Sequence, residues 1–152
     1  MFDEFYLEKV RISTRIFLLD GSKLEGDLFL SPTSRYHQRR ESVQEFMNSQ
    51  SSFFILKEDN RVYFINKSHI KYMIINDDEE SSFVKTESTK ESKVNVSFIS
   101  GDTIKCVIPY EPQIYRPRLS DFLSEVDKFF YVFVDKDLLL LRRDSILSIN
   151  EE

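Results

Sequence analysis

The chain of 152 residues has no tryptophan, one cysteine, two histidines, three glycines and four prolines. Each shortage removes a class of protein. With Cys106 as the only thiol no internal disulfide can form, which excludes a small bridged scaffold and suits a reducing compartment. His37 and His69 lie in different segments, without the cysteine or acid spacing that holds zinc, so no metal or other cofactor is expected. Scarce glycine and proline leave no low-complexity tract. Neither G-x-x-x-x-G-K-[ST] nor G-x-G-x-x-G occurs, which removes the familiar phosphate-cradling loops. No apolar run approaches the roughly 20 residues of a membrane-spanning helix. The opening Met-Phe-Asp-Glu-Phe-Tyr-Leu-Glu-Lys carries acids where a signal peptide carries bases. A soluble cytoplasmic protein is expected. Asp and Glu are plentiful, but none form a recognisable catalytic pair, and Cys106 reads as a small buried strand residue rather than a nucleophile. The chain is not expected to be an enzyme.

What the chain does have is an internal repeat. Phe54-Ile-Leu-Lys-Glu-Asp-Asn-Arg-Val-Tyr-Phe-Ile-Asn-Lys-Ser-His-Ile70 matches Phe130-Tyr-Val-Phe-Val-Asp-Lys-Asp-Leu-Leu-Leu-Leu-Arg-Arg-Asp-Ser-Ile146 at a constant spacing of 76 positions (54 to 130). The same spacing joins Phe46-Met47 to Phe122-Leu123 and Arg40 to Arg116. Upstream, Leu19-Asp-Gly-Ser-Lys-Leu-Glu-Gly26 matches Ile99-Ser-Gly-Asp-Thr-Ile-Lys-Cys106 at a spacing of 80 (19 to 99), a loop shortened in the second copy. Apolar positions kept across a loop deletion mark two copies of one fold. The expected organisation is a first repeat over 1–76, an acidic Ser-rich linker over 77–92 and a second repeat over 93–152. The net charge of −5 divides as +1, −4 and −2 over these three segments, so most of the acidity sits in the linker and the repeats are nearly neutral. Units this small are marginal alone, and each is expected to bury apolar surface against the other.

Within a repeat the period changes along the chain. Val10, Ile12, Thr14 and Ile16 alternate with Arg11, Ser13 and Arg15 and run into Asp20-Gly21, a strand entering a hairpin; Val94, Val96 and Phe98 before Gly101 do the same. Val43, Phe46 and Met47 then fall at i, i+3, i+4, as do Leu119, Phe122 and Leu123, which predicts a short amphipathic helix burying Phe46 and Phe122. Three further strands follow in each copy, near Phe53–Leu56, Val62–Ile65 and Ile70–Ile75, and near Phe129–Val134, Leu138–Leu141 and Ile146–Ile149. The predicted class is mainly β, two tandem β-β-α-β-β-β units, each a small closed or nearly closed barrel.

Leu141-Arg142-Arg143-Asp144-Ser145-Ile146 resembles the I-R-G-x-x-[IV] motif of Sm-like barrels, with Ile65-Asn66-Lys67-Ser68-His69-Ile70 as its counterpart. The Asp20-Gly21 hairpin with Gly26 resembles the first Sm motif, and Phe46-Met47-Asn48 is similar to its Met-Asn. Arg116-Pro-Arg-Leu-Ser-Asp-Phe-Leu-Ser124, followed by Phe129-Phe130, resembles the R-x-S-D-x-L-N helix of an uncharacterised bacterial family of Sm-like domains. Arg143 and Lys67 stand where the Sm motif has glycine, and Ser124 where the helix motif has asparagine. The resemblance spans both repeats and implies a fold; it supplies no activity.

Two sets of residues are candidates for ligand contact. In the Sm manner, Arg142, Arg143, Asn66 and Lys67 would meet RNA while Asn48 reads a base edge. Arg35-Tyr-His-Gln-Arg39-Arg40 is the densest basic cluster in the chain. Its R-x-x-x-R, with Asn66-x-Ser68 beyond it, resembles part of the cyclic-dinucleotide signature of PilZ domains, with Lys71 in place of the closing glycine. Arg35, Arg39 and Arg40 would be the contacts of a phosphate-bearing ligand. The acidic total and the missing glycines favour a different function: a non-enzymatic interaction or assembly module with a protein partner, itself or another, and no membrane. RNA or nucleotide binding is the alternative.

Overall fold

Gly21 and Gly101 adopt φ of +89° and +98°, a left-handed conformation open to glycine and costly for most residues. Each closes a hairpin. β1 (Val10–Leu18) pairs antiparallel with β2 (Lys23–Leu30), and β6 (Lys90–Phe98) with β7 (Thr103–Tyr110). Alternation in the sequence becomes alternation in burial: Ile12, Thr14 and Ile16 point inward, as do Val94, Val96 and Phe98. The computed structural model describes residues 9–152; the acidic stretch at 1–8, on which the lack of a signal peptide was argued, lies outside the described residues.

The remaining elements are β3 (Phe53–Glu58), β4 (Arg61–Asn66), β5 (Ile70–Asn76), β8 (Phe129–Val134), β9 (Asp137–Arg142) and β10 (Ile146–Glu151), with short helices α1 (Val43–Met47), α2 (Asp78–Ser82) and α3 (Leu119–Ser124). A capping box starts α1, in which the Ser42 hydroxyl accepts from the Glu45 N–H at 3.0 Å and the Glu45 carboxylate accepts from the Ser42 N–H at 3.2 Å. The inward residues of α1 are Val43 and Met47. Phe46, expected beneath the helix, is only half-buried and packs edge-on against Phe54 at 6.1 Å; Phe122 is likewise half-buried, 5.7 Å from Tyr110. Val43 and Met47 take the buried positions of α1 and Leu119 that of α3, which leaves Phe46 and Phe122 at the edge of each helix face.

All ten strands join one antiparallel sheet in the order β10-β6-β7-β8-β9-β5-β1-β2-β3-β4. Each half contributes its strands in the order fifth, first, second, third, fourth. Where two closed or nearly closed barrels are expected, the strands form one continuous sheet that is not closed, with β5 bonded to β9 and, among the described residues, edges at β10 and β4. The cause is visible in Asp137-Leu-Leu-Leu-Leu-Arg142. Leu138 and Leu140 join a core with Ile12, Ile16, Met73 and Ile75, while Leu139 and Leu141 join a second core with Val94, Val96 and Phe98. A strand buried on both faces reads as an unbroken apolar run. Burying roughly 2 kcal/mol worth of apolar surface per leucine on each side makes β9 the seam between the two cores.

The segment expected as a solvated linker is partly ordered and partly buried. Asp77 caps α2 by accepting from the Glu80 N–H at 2.9 Å, Glu80 is fully enclosed, and β6 already begins at Lys90. Among the described residues no helix is long and apolar enough to cross a membrane.

Candidate functional site

The basic cluster at 35–40 is not a single patch. Arg40 turns inward, where Nη2 lies 2.7 Å from Asp77 Oδ2, Nη1 lies 2.9 Å from Glu80 Oε1 and Nε bonds Glu79. Burial disfavours its charge, but Glu80, then Glu79 and Asp77, outweigh that and hold the guanidinium pKa above its ordinary value. Arg39 lies over the Phe83 ring at 4.0 Å and donates to Ser82 Oγ at 2.9 Å. Arg35 is exposed beside an open polar cleft shared with Gln44 and Asn48. The acidic segment after β5 is thus the partner of Arg39 and Arg40. Two opposite charge runs in one chain, Asp77-Asp-Glu-Glu80 and Arg39-Arg40, were the available signal for it.

Asn48, Asn66, Lys67 and Arg142 do come together, lining an open cleft of about 640 Å³ between α1 and the two 3-10 turns that follow β4 and β9. Many of their polar atoms already have partners. Asn48 accepts from the Phe129 N–H at 2.9 Å and donates to its carbonyl at 3.2 Å. Asn66 Oδ1 accepts from the Ser68 N–H at 3.0 Å and from its hydroxyl at 2.8 Å. Lys67 is buried, with Nζ donating to Ser49 O at 3.1 Å and to Ser49 Oγ at 3.0 Å, and burial, reinforced by the nearby Lys128 charge, lowers its pKa. Arg142 Nε donates to Ile70 O at 2.6 Å and burial lowers its pKa as well. Arg143 points elsewhere, donating to Asp144 at 3.0 Å and to Val126 O at 3.2 Å.

Cys106 is buried, and burial pushes its thiol up to about 12, far from a thiolate nucleophile. Its counterpart Gly26 answers a steric demand, since a Cβ there would lie 2.7 Å from Lys57 O.

A surface not singled out from the sequence is the most distinctive on the molecule. On the outer face of the β3–β4 hairpin Phe53, Ile55, Val62 and Phe64 are 54%, 44%, 51% and 69% exposed. Ile55 and Phe64 are directly paired across the strands. An open groove of about 730 Å³ runs beside them, floored by Phe29 and Phe46 and rimmed by Lys9, Arg11 and Lys57. Their counterparts 76 positions on, Phe129, Tyr131, Leu138 and Leu140, are 2%, 8%, 2% and 0% exposed. The outer face of β8–β9 is covered by the first half, whereas among the described residues none covers that of β3–β4. Because β4 is also a sheet edge, its outward N–H and C=O groups stand ready to receive another strand.

Comparison with family models, with curated proteins and with solved structures finds no match for this chain.

Proposed function

We propose that this chain is a non-enzymatic assembly module made of two Sm-like units of one design, with the outer face and free edge of β3–β4 as its interface. One comparison within the molecule supports this: four apolar residues on β8–β9 form the joint between the halves, while the matching four on β3–β4 are open to solvent. A contiguous apolar face beside an unpaired strand is an aggregation hazard unless a partner covers it. The same strand order in both halves and the spacing of 76 support two copies of one unit; the Sm-like kinship rests on the motif residues around Arg142, Lys67 and Arg116. To test the interface, a photo-crosslinking amino acid is placed at position 64 and, as control, at the exposed Tyr115, and the protein is irradiated in cells. Discrete adducts from position 64 and none from 115 are expected. Equal labelling from both would refute the interface.

RNA or nucleotide binding is a second reading, favoured by the convergence of Asn48, Asn66, Lys67 and Arg142 on one cleft. It ranks lower because the Asn48 amide, the Lys67 ammonium and the Arg142 Nε are already engaged within the protein.

A further inference from the structure

Resting on the reading of β3–β4 as an interface, we infer that the groove beside it receives a peptide segment of a partner protein, acidic in charge and anchored by aromatic or leucine side chains. The groove exists because β2 and β3 separate. They pair at Asp27 and Lys57 alone, and beyond that pair Phe29 and Ile55 line an opening of about 730 Å³. Its floor is aromatic, Phe29 and Phe46, and three cations, Lys9, Arg11 and Lys57, stand around it. Among the described residues Arg11 lies 3.7 Å from Asp27, while Lys9 and Lys57 form no salt bridge.

The second copy shows what such an opening takes. Val107 and Phe133 are there the single pair between β7 and β8, as Asp27 and Lys57 are between β2 and β3. The positions that match Ile55 and Lys57 are Tyr131 and Phe133 (55 to 131, 57 to 133). One stretch of chain, Asp77-Asp-Glu-Glu-Ser-Ser-Phe-Val-Lys85, crosses them. Glu80 accepts from the Tyr131 hydroxyl, Val84 packs against the same core as Phe133, and the Lys85 ammonium lies 4.6 Å from the centre of the Phe133 ring. The covering segment thus begins with a run of acids and ends with apolar residues.

In the first copy the roles at one position are exchanged. Lys57 stands where Phe133 stands, so the cation is now on the sheet, and the residue that covers it has to bring a carboxylate or an aromatic ring. Phe29, Phe46 and Ile55 offer the apolar floor on which such rings bury their area. The chain as a whole carries a net charge of −5, which makes an apolar groove bordered by three cations a local exception. Its charge attracts an acidic segment and repels a basic one. A peptide rather than a lipid surface is favoured because the matching opening within the molecule is crossed by a segment of chain.

The probe is a displayed library of random dodecapeptides, selected against the full chain, with enriched sequences then measured by fluorescence anisotropy. Enriched peptides should carry net negative charge and aromatic or leucine residues. K9E/K57E, altered only at exposed positions, should weaken their binding by about tenfold or more, and added salt should weaken it in the wild type. Circular dichroism establishes that the variant is folded, with I55S as a replacement should K9E/K57E fail. A selection that enriches no sequence, or basic ones, would overturn the inference, as would acidic peptides that bind both variants as they bind the wild type. Binding that appears only after residues 2–8 are deleted would overturn it in favour of the chain's own acidic and aromatic Phe2-Asp-Glu-Phe-Tyr-Leu-Glu8. Pelleting with vesicles of phosphatidylcholine and phosphatidylserine, lost in K9E/K57E and without any peptide binding, would overturn it in favour of a lipid surface. Crosslinks from position 64 should diminish in K9E/K57E. Crosslinks that persist there would leave β3–β4 an interface without this occupant, whereas a wild-type chain giving none would remove the interface itself.

Discussion

Asn48 and Phe129, 81 positions apart, are joined through both ends of one side-chain amide, which accepts from the Phe129 N–H at 2.9 Å and donates to its carbonyl at 3.2 Å. The amide imitates a neighbouring strand and ties α1 to β8. Because Phe129 is buried, Asn48→Ala leaves its enclosed N–H without that partner, while Gln44 Nε2 still donates to the carbonyl at 3.1 Å. A loss of about 1–3 kcal/mol is expected in urea unfolding, with the slope unchanged. An unchanged midpoint would mean that water replaces the amide.

Arg40 and Glu80 form the second tie. Glu80 also accepts from the Val43 N–H at 2.8 Å and from the Tyr131 hydroxyl, so one enclosed carboxylate holds α1, α2 and β8 together. Burial first, and then the Glu80 charge, raise the Tyr131 pKa, which keeps its hydroxyl a donor. Glu80→Ala should cost roughly 3–5 kcal/mol by leaving the Arg40 charge with fewer partners, and Tyr131→Phe about 1.5–3 kcal/mol. Replacing both Arg40 and Glu80 by apolar residues should cost less than Glu80→Ala alone. The double variant proving the least stable would contradict this account of the pair.

Leu140→Ala should destabilise by about 2–5 kcal/mol, because that side chain is wholly enclosed between the halves. Phe64→Ala, at the matching position of the first copy, should change the stability of the isolated chain by less than about 0.5 kcal/mol. Similar losses at both would mean that the Phe64 face is already covered.

The hairpins, the two helices and the order of elements are legible in the sequence because they rest on local signals: Asp20-Gly21 and Ser100-Gly101 turns, period-two burial around Ile12 and Val94, and the i, i+3, i+4 spacing at Val43. The pairing of β5 with β9 is not, since register between distant strands has no local signature; Leu138–Leu141 shows only that both faces of that strand are apolar. Lys67 and Arg142 look like ligand contacts in the sequence because a basic side chain in a turn is ordinarily solvated. Their carbonyl partners, Ser49 O and Ile70 O, exist only once the chain has folded. The exposed face of β3–β4 escaped notice for a related reason. Phe53, Ile55 and Phe64 have the composition of a core, and only the topology leaves them outside.

Acid should loosen the joint between the halves. The Lys71 hydrogen bond, then Ser100, lowers the Asp102 pKa from its ordinary 3.8. The unfolded chain therefore binds more protons at this site, so the contribution is fully present above the ordinary value and is lost as pH falls through the lowered one. Stability measured against pH should fall below about pH 4, and Asp102→Asn should flatten part of that slope. An acid limb unchanged in Asp102→Asn would show that other carboxylates govern it.

Oligo(U) should not bind with submicromolar affinity at physiological salt, and Arg142→Glu should lower stability through loss of the bond to Ile70 O rather than abolish a nucleic-acid complex. Tight binding that weakens steeply with salt and disappears in Arg142→Glu would reverse the ranking of the two functions.

The most direct measurement of the central claim is the size of the native protein in gently opened cells, before purification and with ribonuclease added, compared with an Ile55→Glu/Phe64→Glu variant that purifies as a folded chain. Association through the β3–β4 face predicts that the wild type migrates as an assembly larger than one chain and that the variant migrates as a single chain. Identical migration of the two would contradict it.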